Sequence, residues 1–142
     1  MRVFLDANVL FSAAYRTESS FRPLFRLAEA GACELIASAF AVDEARRNIA
    51  RKVPARVAEI ESLIARIGIC PEGSAENLQW ASSAGLPAKD APILAAAVQA
   101  GANLLATGDR RAFGPLYDRT LRGVQVLTPA RALALLLDQA EG

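Results

Sequence analysis

Apolar residues occur along the chain in short runs whose composition is typical of buried β-strands. These runs cover residues 2–5, 34–37, 67–70, 103–107 and 124–127. Each run is too short for an ordinary helix, and longer segments with a different spacing separate one run from the next. The pattern therefore predicts five strands.

The longer segments between the runs have the spacing of amphipathic helices. The clearest covers residues 55–67, where Val57, Ile60 and Ile64 recur at helical intervals and Pro54 precedes the first turn. Further helices are predicted at 21–30, 40–52, 75–84, 91–100 and 130–139. Strands that alternate with helices predict an α/β fold, in which right-handed crossovers cover both faces of a parallel sheet. Because no linker or repeat interrupts the pattern, we expect one domain over residues 1–142.

The composition agrees with this fold and indicates where the protein works. Of the 142 residues, 53% are hydrophobic, but no apolar run approaches the roughly 20 residues that span a bilayer. The first residues, Met-Arg-Val-Phe-Leu-Asp, do not resemble a secretory signal. Cys33 and Cys70 lack the spacing of a zinc or redox motif and are expected to be buried free thiols. We expect a cytoplasmic protein that does not enter a membrane.

The absence of histidine narrows the chemistry more than any other compositional feature. It excludes Ser-His-Asp and Cys-His nucleophilic sites, histidine acid–base nucleases and histidine-ligated zinc. A net charge of +1 gives no overall attraction to nucleic acid, although all basic residues except Lys52 and Lys89 are arginine. Any catalysis must therefore use carboxylates, hydroxyls, amides or a bound metal.

Polar residues follow two of the predicted strands at the point where each strand ends. Asp6 and Asn8 come after the first strand, and Thr107 and Asp109 come at the end of the fourth. Open parallel sheets bind ligands beyond the carboxyl ends of their strands, where the strand order reverses. We therefore expect these side chains to share one edge of the sheet.

Two further acids are expected to join them from helices. Asp90 opens the helix that leads into the fourth strand, and Asp43-Glu44 lies in the first turns of the helix after the second strand. We choose Glu44 because the buried spacing Val42-Ala45 leaves it beside the apolar stripe, whereas Asp43 is expected to be solvated.

Each of these acids has a simpler explanation when it is taken alone. Aspartate and asparagine are favoured helix caps, so Asp6, Asn8, Asp90 and Asp109 could each cap a helix. Together, however, carboxylates that meet at one edge would repel one another unless a cation compensates their charge. Mg²⁺ and Mn²⁺ prefer such hard oxygen ligands. The convergence therefore favours a metal site.

The motifs that carry these acids resemble those of the PIN-domain nucleases. They are Val-Phe-Leu-Asp-Ala-Asn-Val-Leu at 3–10, Glu44 followed by Ala-Arg-Arg-Asn, Lys-Asp-Ala-Pro-Ile-Leu-Ala-Ala-Ala at 89–97, and Thr-Gly-Asp at 107–109. No single tripeptide is specific. The resemblance rests on the ordered set of acids and covers essentially the whole chain.

This resemblance implies a three-layer α/β/α fold with a five-stranded parallel sheet in the order 3-2-1-4-5. It also implies that the catalytic and metal-binding acids are Asp6, Glu44, Asp90 and Asp109, and that Asn8 and Thr107 are supporting residues that position them or the substrate. The expected cofactor is Mg²⁺ or Mn²⁺, as one or two ions, and the expected reaction is hydrolysis of RNA phosphodiester bonds.

Small stand-alone relatives are often VapC-like toxins of type II toxin–antitoxin pairs. The resemblance thus implies, besides the RNA substrate, a homodimer and an antitoxin that inserts into the active site, whereas an RNA-processing nuclease would share the same fold. The alternative from another class is a non-catalytic Mg²⁺-binding regulatory or scaffold domain. A phosphoacceptor domain would place acids after its first and third strands, but here they follow the first and fourth.

Overall fold

A central sheet with helices on both sides is seen in the computed structural model, which describes residues 1–141. Its strands are β1 (Arg2–Leu5), β2 (Glu34–Ser38), β3 (Gly68–Cys70), β4 (Leu104–Ala106), β5 (Thr120–Leu121) and β6 (Val124–Leu127). Its helices are α1 (Ala7–Tyr15), α2 (Arg22–Glu29), α3 (Ala39–Lys52), α4 (Val57–Ile64), α5 (Ala75–Ser82), α6 (Ala91–Gln99), α7 (Arg110–Phe113) and α8 (Pro129–Glu141).

The strand order is β3-β2-β1-β4-β6-β5, which confirms the predicted α/β/α fold and the order of its five parallel strands. The sheet has six strands rather than five, because β5 adds an antiparallel edge to β6. Two residues, Arg122 (φ 47°) and Gly123 (φ 85°), join β5 to β6. Two positive φ values in a two-residue loop match the type I′ hairpin turn.

The chain changes direction across the sheet between β3 and β4. The first two connections step outwards from β1 to β2 and from β2 to β3, and the next returns across the sheet to pair β4 with β1. Since such crossovers are right-handed, α1–α4 and α5–α6 lie on opposite faces of the sheet. The strand order therefore reverses between β1 and β4, at the place where the predicted acids lie.

The helices differ from the sequence prediction mainly around the first connection. Helix α1 was not among the predicted helices, and neither was the four-residue α7. The predicted helix at 55–67 is a 3₁₀ turn over Pro54–Arg56 followed by α4, which ends three residues early. Arg66 and Ile67 form a turn into β3 instead.

Side chains from β1 and β4 and from the helices on both faces form the hydrophobic core. Val3, Phe4 and Leu5 are all fully buried, as expected for a central strand that is covered on both faces. The largest fully buried side chains are Phe4, Leu5, Leu10, Leu24, Phe25, Ile49, Ile60, Leu63, Ile93, Leu94, Leu104 and Phe113. Within the described residues, none of the helices has the length and apolar character needed to cross a membrane.

We expect Gly73→Ala to destabilise the protein because the loop before α5 lies directly against α6. A Cβ atom at Gly73 would lie 2.8 Å from both the carbonyl carbon and the Cβ atom of Ala95. Overpacking of this kind lowers the free energy of unfolding by about 1–3 kcal/mol. Urea denaturation of the purified variant measures the change.

Gln79→Ala is the matched control. Gln79 is exposed on α5, the helix that follows this loop, so its truncation to alanine adds no contact with α6. Because alanine is at least as favourable as glutamine in a helix, the free energy of unfolding should stay within about 0.5 kcal/mol of wild type. Equal midpoints for Gly73→Ala and wild type would show that the loop does not pack as described.

Candidate active site

The four predicted acids line one cleft at the carboxyl end of the sheet. Asp6 directly follows β1, Asp109 follows β4, Asp90 precedes α6, and Glu44 lies in the second turn of α3. Together with Ala7, Asn8, Phe11, Asn48, Lys52 and Lys89, they surround a cavity of about 230 Å³. Segments that are distant along the chain are thus brought together where the strand order reverses.

Asp6 is the most deeply buried of these acids, with 4% of its surface exposed. Its Oδ1 accepts a hydrogen bond from the backbone N–H of Ala7 at 2.7 Å. Its Oδ2 accepts from the hydroxyl of Thr107 at 2.8 Å and from Nδ2 of Asn8 at 3.1 Å. Asp6 therefore caps α1 with one oxygen and joins the ends of β1 and β4 with the other.

Asn8 and Thr107 complete this connection between the two strands. The backbone N–H of Gly108 donates to Oδ1 of Asn8 at 2.8 Å, and the N–H of Asp109 donates to Oγ1 of Thr107 at 3.1 Å. A Cβ atom at Gly108 would lie only 3.2 Å from Oδ1 of Asn8, so the absence of a side chain there permits the close approach. These bonds fix the backbone that carries Asp109.

The helix-cap explanation holds for Asp109 but fails for Asp90. Oδ1 of Asp109 accepts from the backbone N–H of Ala112 at 3.1 Å and so caps α7. Asp90 precedes α6 but makes no side-chain cap bond. Its Oδ2 is the one buried side-chain oxygen or nitrogen, within the described residues, that has no hydrogen-bond partner. Burying an unpaired carboxylate oxygen is unfavourable, and helix capping does not explain it.

Neighbouring Asp43 and Glu44 lie in different surroundings on α3. Glu44 is half-buried and lines the cleft. Asp43 is exposed, and its carboxylate lies 3.7 Å from Arg46, one turn further along the helix. The structure therefore places Glu44, rather than Asp43, with the other acids.

Burial and crowding make the acids of the cleft harder to ionise. Burial raises the pKa of Asp6 to about 6, and the negative charges of Glu44 and Asp90 oppose its ionisation further, although its hydrogen bonds act in the opposite direction. Burial also raises the pKa of Asp90. The negative charges of Asp109 and Glu44 raise it further, while the positive charge of Lys89 acts in the opposite direction. Like charges are therefore held close enough to interact.

The donors of the cleft fit a hard divalent cation by their chemistry. Across residues 1–141, no three aspartate, glutamate or cysteine side chains are arranged, as they stand, to enclose an ion. The cleft nevertheless combines four carboxylates with the unpaired Oδ2 of Asp90. Carboxylate oxygens are the ligands that Mg²⁺ and Mn²⁺ prefer, and Mg²⁺ usually takes only one or two from the protein and keeps several waters.

The sequence analysis missed two kinds of residue at this site. Lys52 and Lys89, the only lysines in the chain, both line the acidic cleft. The only indication in the sequence was that these two are lysines in a chain whose other basic residues are all arginine. The hydroxyl of Tyr117 donates to the backbone carbonyl of Thr107 at 2.8 Å and so supports the turn that carries Asp109. No sequence pattern pointed to this contact.

Comparison with sequence families gives one match that covers most of the chain. A family model described as a PIN domain matches residues 2–111. This range contains all four acids of the cleft, together with Asn8 and Thr107. No curated protein sequence matches the chain significantly.

Solved structures with a similar fold share little sequence with this chain. VapBC from Salmonella typhimurium, bound to DNA, has a TM-score of 0.69 and 15% identity, over 91% of this chain and 98% of that chain. VapBC2 from Rickettsia felis, bound to a promoter fragment, has a TM-score of 0.65 and 17% identity, over 90% and 98%. VapC20 from Mycobacterium tuberculosis, described as a toxin that cleaves the sarcin–ricin loop, has a TM-score of 0.53 and 10% identity, over 72% and 86%. At these identities the likeness shows the fold alone.

The raised pKa of Asp6 predicts how stability depends on pH in the presence of a chelator. Below pH 3.8 the carboxyl is protonated in both folded and unfolded chains, so it does not affect stability. As the pH rises, the unfolded chain ionises first, and the free energy of unfolding falls until the folded carboxyl ionises near pH 6. The shift corresponds to a loss on the order of 3 kcal/mol.

Urea denaturation between pH 4 and pH 7 checks this prediction. The side chain at position 6 of the Asp6→Asn variant cannot ionise, so the free energy of unfolding of this variant should not show this fall. The difference in stability between Asp6→Asn and wild type should therefore shift in favour of the variant as the pH rises. Asp43→Asn removes an exposed carboxylate and leaves Asp6 intact, so it should keep the fall. Parallel curves for wild type and Asp6→Asn would contradict the raised pKa.

Proposed function

Because the chain belongs to the PIN-domain family, we propose that residues 1–142 form one domain that acts as a metal-dependent endoribonuclease. The observation that carries this proposal is the convergence of four carboxylates in one cleft, where Asp90 has a buried and unpaired oxygen. If these acids had only a structural role, Lys89 would offset part of the like-charge repulsion at Asp90, but the buried oxygen of Asp90 would still lack a hydrogen-bond partner.

The acids Asp6, Glu44, Asp90 and Asp109 would hold one or two Mg²⁺ or Mn²⁺ ions. A bound divalent ion lowers the pKa of water and stabilises the negative charge that develops on phosphate oxygens during hydrolysis. Because the chain has no histidine to act as a general base, a metal ion held by these acids is the simplest means of activating water for hydrolysis.

The other polar residues of the cleft position these acids and the substrate. Thr107 and Asn8 donate to the same oxygen of Asp6 and keep its carboxylate in one orientation. Lys52 and Lys89 stand at the exposed rim of the cleft. Their ammonium groups can bind the phosphates on either side of the scissile bond.

RNA is the proposed substrate, and a toxin–antitoxin pair is the proposed biological context. VapC20, described as a toxin that cleaves the sarcin–ricin loop, and the two VapBC proteins supply the analogy at the level of the fold. We further propose a homodimer in the cytoplasm and a small antitoxin that presents arginine or another cation to the cleft. Burying this acidic cluster without a cation would be unfavourable.

Cleavage of RNA should require Mg²⁺ or Mn²⁺ and should disappear with chelator. Asp6→Asn, Asp90→Asn and Asp109→Asn should each slow cleavage on the order of 100-fold or more while the protein remains folded. Asp43→Asn is the control and should cleave at close to the wild-type rate, because Asp43 lies outside the cleft. Incubation of the purified proteins with mixed RNAs, followed by gel electrophoresis, measures the rates.

Cutting that persists in chelator would contradict the metal-dependent mechanism. Metal binding without any cleavage, on the other hand, would support the alternative function, a non-catalytic Mg²⁺-binding regulatory or scaffold domain.

Thermal melts with and without Mn²⁺ test metal binding without a substrate. Saturating Mn²⁺ should stabilise wild type by about 2.7 kcal/mol at a free concentration about 100 times the dissociation constant. Asp109→Ala should gain much less, because it lacks one ligand. In chelator, loss of the α7 cap destabilises this variant, whereas relief of like-charge repulsion stabilises it. Because these two effects oppose each other, the test uses the change in stability on adding metal rather than the stability in chelator. Equal responses of the two proteins would show that Asp109 is not a ligand.

A further inference from the structure

We propose that two aromatic residues of α1, the half-buried Phe11 and the exposed Tyr15, stack against an unpaired base of single-stranded RNA beside the acidic cleft. The surface consists of Phe11 and Tyr15, flanked by Lys52 and Arg16, and is called the aromatic groove below. This inference deepens the proposed nuclease function and rests on it for the identity of the substrate.

The aromatic groove is continuous with the cleft through one face of α1. Asn8, Phe11 and Tyr15 are three and four residues apart, so they follow one another along the same side of the helix. Phe11 lines both the cleft and a neighbouring groove of about 490 Å³. Tyr15 lies seven residues beyond Asn8, or about 10 Å along the helix axis. A strand that leaves the cleft along α1 would pass over these rings.

The two rings present aromatic surface to the solvent. Tyr15 is 47% exposed and Phe11 is half-buried. Their centroids are 5.8 Å apart and their planes are tilted by 36°. Burial in the core does not account for a tyrosine with this exposure, whereas bases stack readily on such a surface in proteins that bind single-stranded nucleic acid.

Cations lie beside both rings. Nζ of Lys52 is 5.6 Å from the centroid of Phe11, and Cζ of Arg16 is 5.7 Å from that of Tyr15. The remaining lining residues are Ser12, Glu18, Ser19, Ser20 and Phe21, so the lining also includes one acidic side chain. Rings that bind bases and cations that bind phosphates are the two elements that RNA recognition requires.

Charge favours RNA over an acidic or apolar protein segment as the occupant. The neighbouring cleft concentrates carboxylates that repel phosphate, so a nucleic acid needs cations close to the cleft in order to approach it. Lys52 lies at the junction, because it lines the cleft and also contacts the ring of Phe11.

The experiment compares two oligomers of equal charge in chelator, where the proposed reaction cannot proceed. One is a fluorescent oligoadenylate, and the other is an abasic ribose-phosphate chain of the same length. Fluorescence anisotropy should show that Tyr15→Ala weakens binding of oligoadenylate about tenfold, equivalent to about 1.4 kcal/mol, and leaves binding of the abasic chain nearly unchanged. Tyr15→Phe keeps the ring and should bind both oligomers like wild type.

Phe40→Ala is the matched control, because Phe40 is an exposed aromatic residue (37%) that lines a different pocket. It should bind both oligomers like wild type. Lys52→Gln should weaken binding of both oligomers and lower the salt dependence of log K by about 0.7, since it removes one phosphate contact. Thermal melts establish that each variant is folded.

Several outcomes would overturn the inference. These are an unchanged affinity of Tyr15→Ala for oligoadenylate, an equal loss for both oligomers, or no binding of oligoadenylate by wild type. The first would assign the groove to another occupant, such as a protein segment.

The failure of this inference can be distinguished from failure of the nuclease function. The inference alone fails if wild type cleaves RNA with Mn²⁺ but Tyr15→Ala does not change the binding of oligoadenylate. The nuclease function alone fails if nothing is cleaved but the base-dependent effect of Tyr15 remains.

Discussion

The hydrogen bond between Thr107 and Asp6 is the interaction on which the rest of the site depends. It joins the ends of two neighbouring parallel strands at the point where the strand order reverses. The bond holds a buried carboxylate and favours its ionised form, whereas burial and the negative charges of Glu44 and Asp90 oppose its ionisation. It also holds the turn that carries Asp109, because the same hydroxyl accepts from the N–H of that residue. The sheet thus supplies the rigidity that a crowded acidic cleft requires.

The sequence was sufficient for the order of the parallel strands, because alternation of strands and helices and the right hand of crossovers leave few arrangements. It was insufficient for β5, which has only two residues and owes its pairing to a turn with Arg122 at a left-handed position. It also missed α1, although Val9, Leu10, Ala13 and Ala14 are buried there. Helix length and tertiary packing, rather than local pattern, decided these elements.

Prediction of the cleft succeeded where backbone position alone decides proximity. Strand ends meet at one edge, so Asp6 and Asp109 could be placed together before any side chain was known. The cap explanation could not be tested in the same way, since only the structure shows that Asp109 caps a helix and Asp90 does not. Lys52 and Lys89 were missed because their approach to the acids depends on how the end of α3 and the loop before α6 pack, which no local spacing encodes.

The two outer strands of the sheet limit how far this apolar chain could pair with other molecules through the edges of its sheet. Over the described residues, the sheet is bounded by β3 and β5, which have three and two residues. Unpaired edge groups can recruit strands from other molecules, and short edges offer few of them. Ile69 on β3 is 51% exposed, but the strand that carries it is too short to template a long intermolecular ladder. In this chain, which is 53% hydrophobic, the longer strands lie in the interior of the sheet, where neighbouring strands pair with both of their edges.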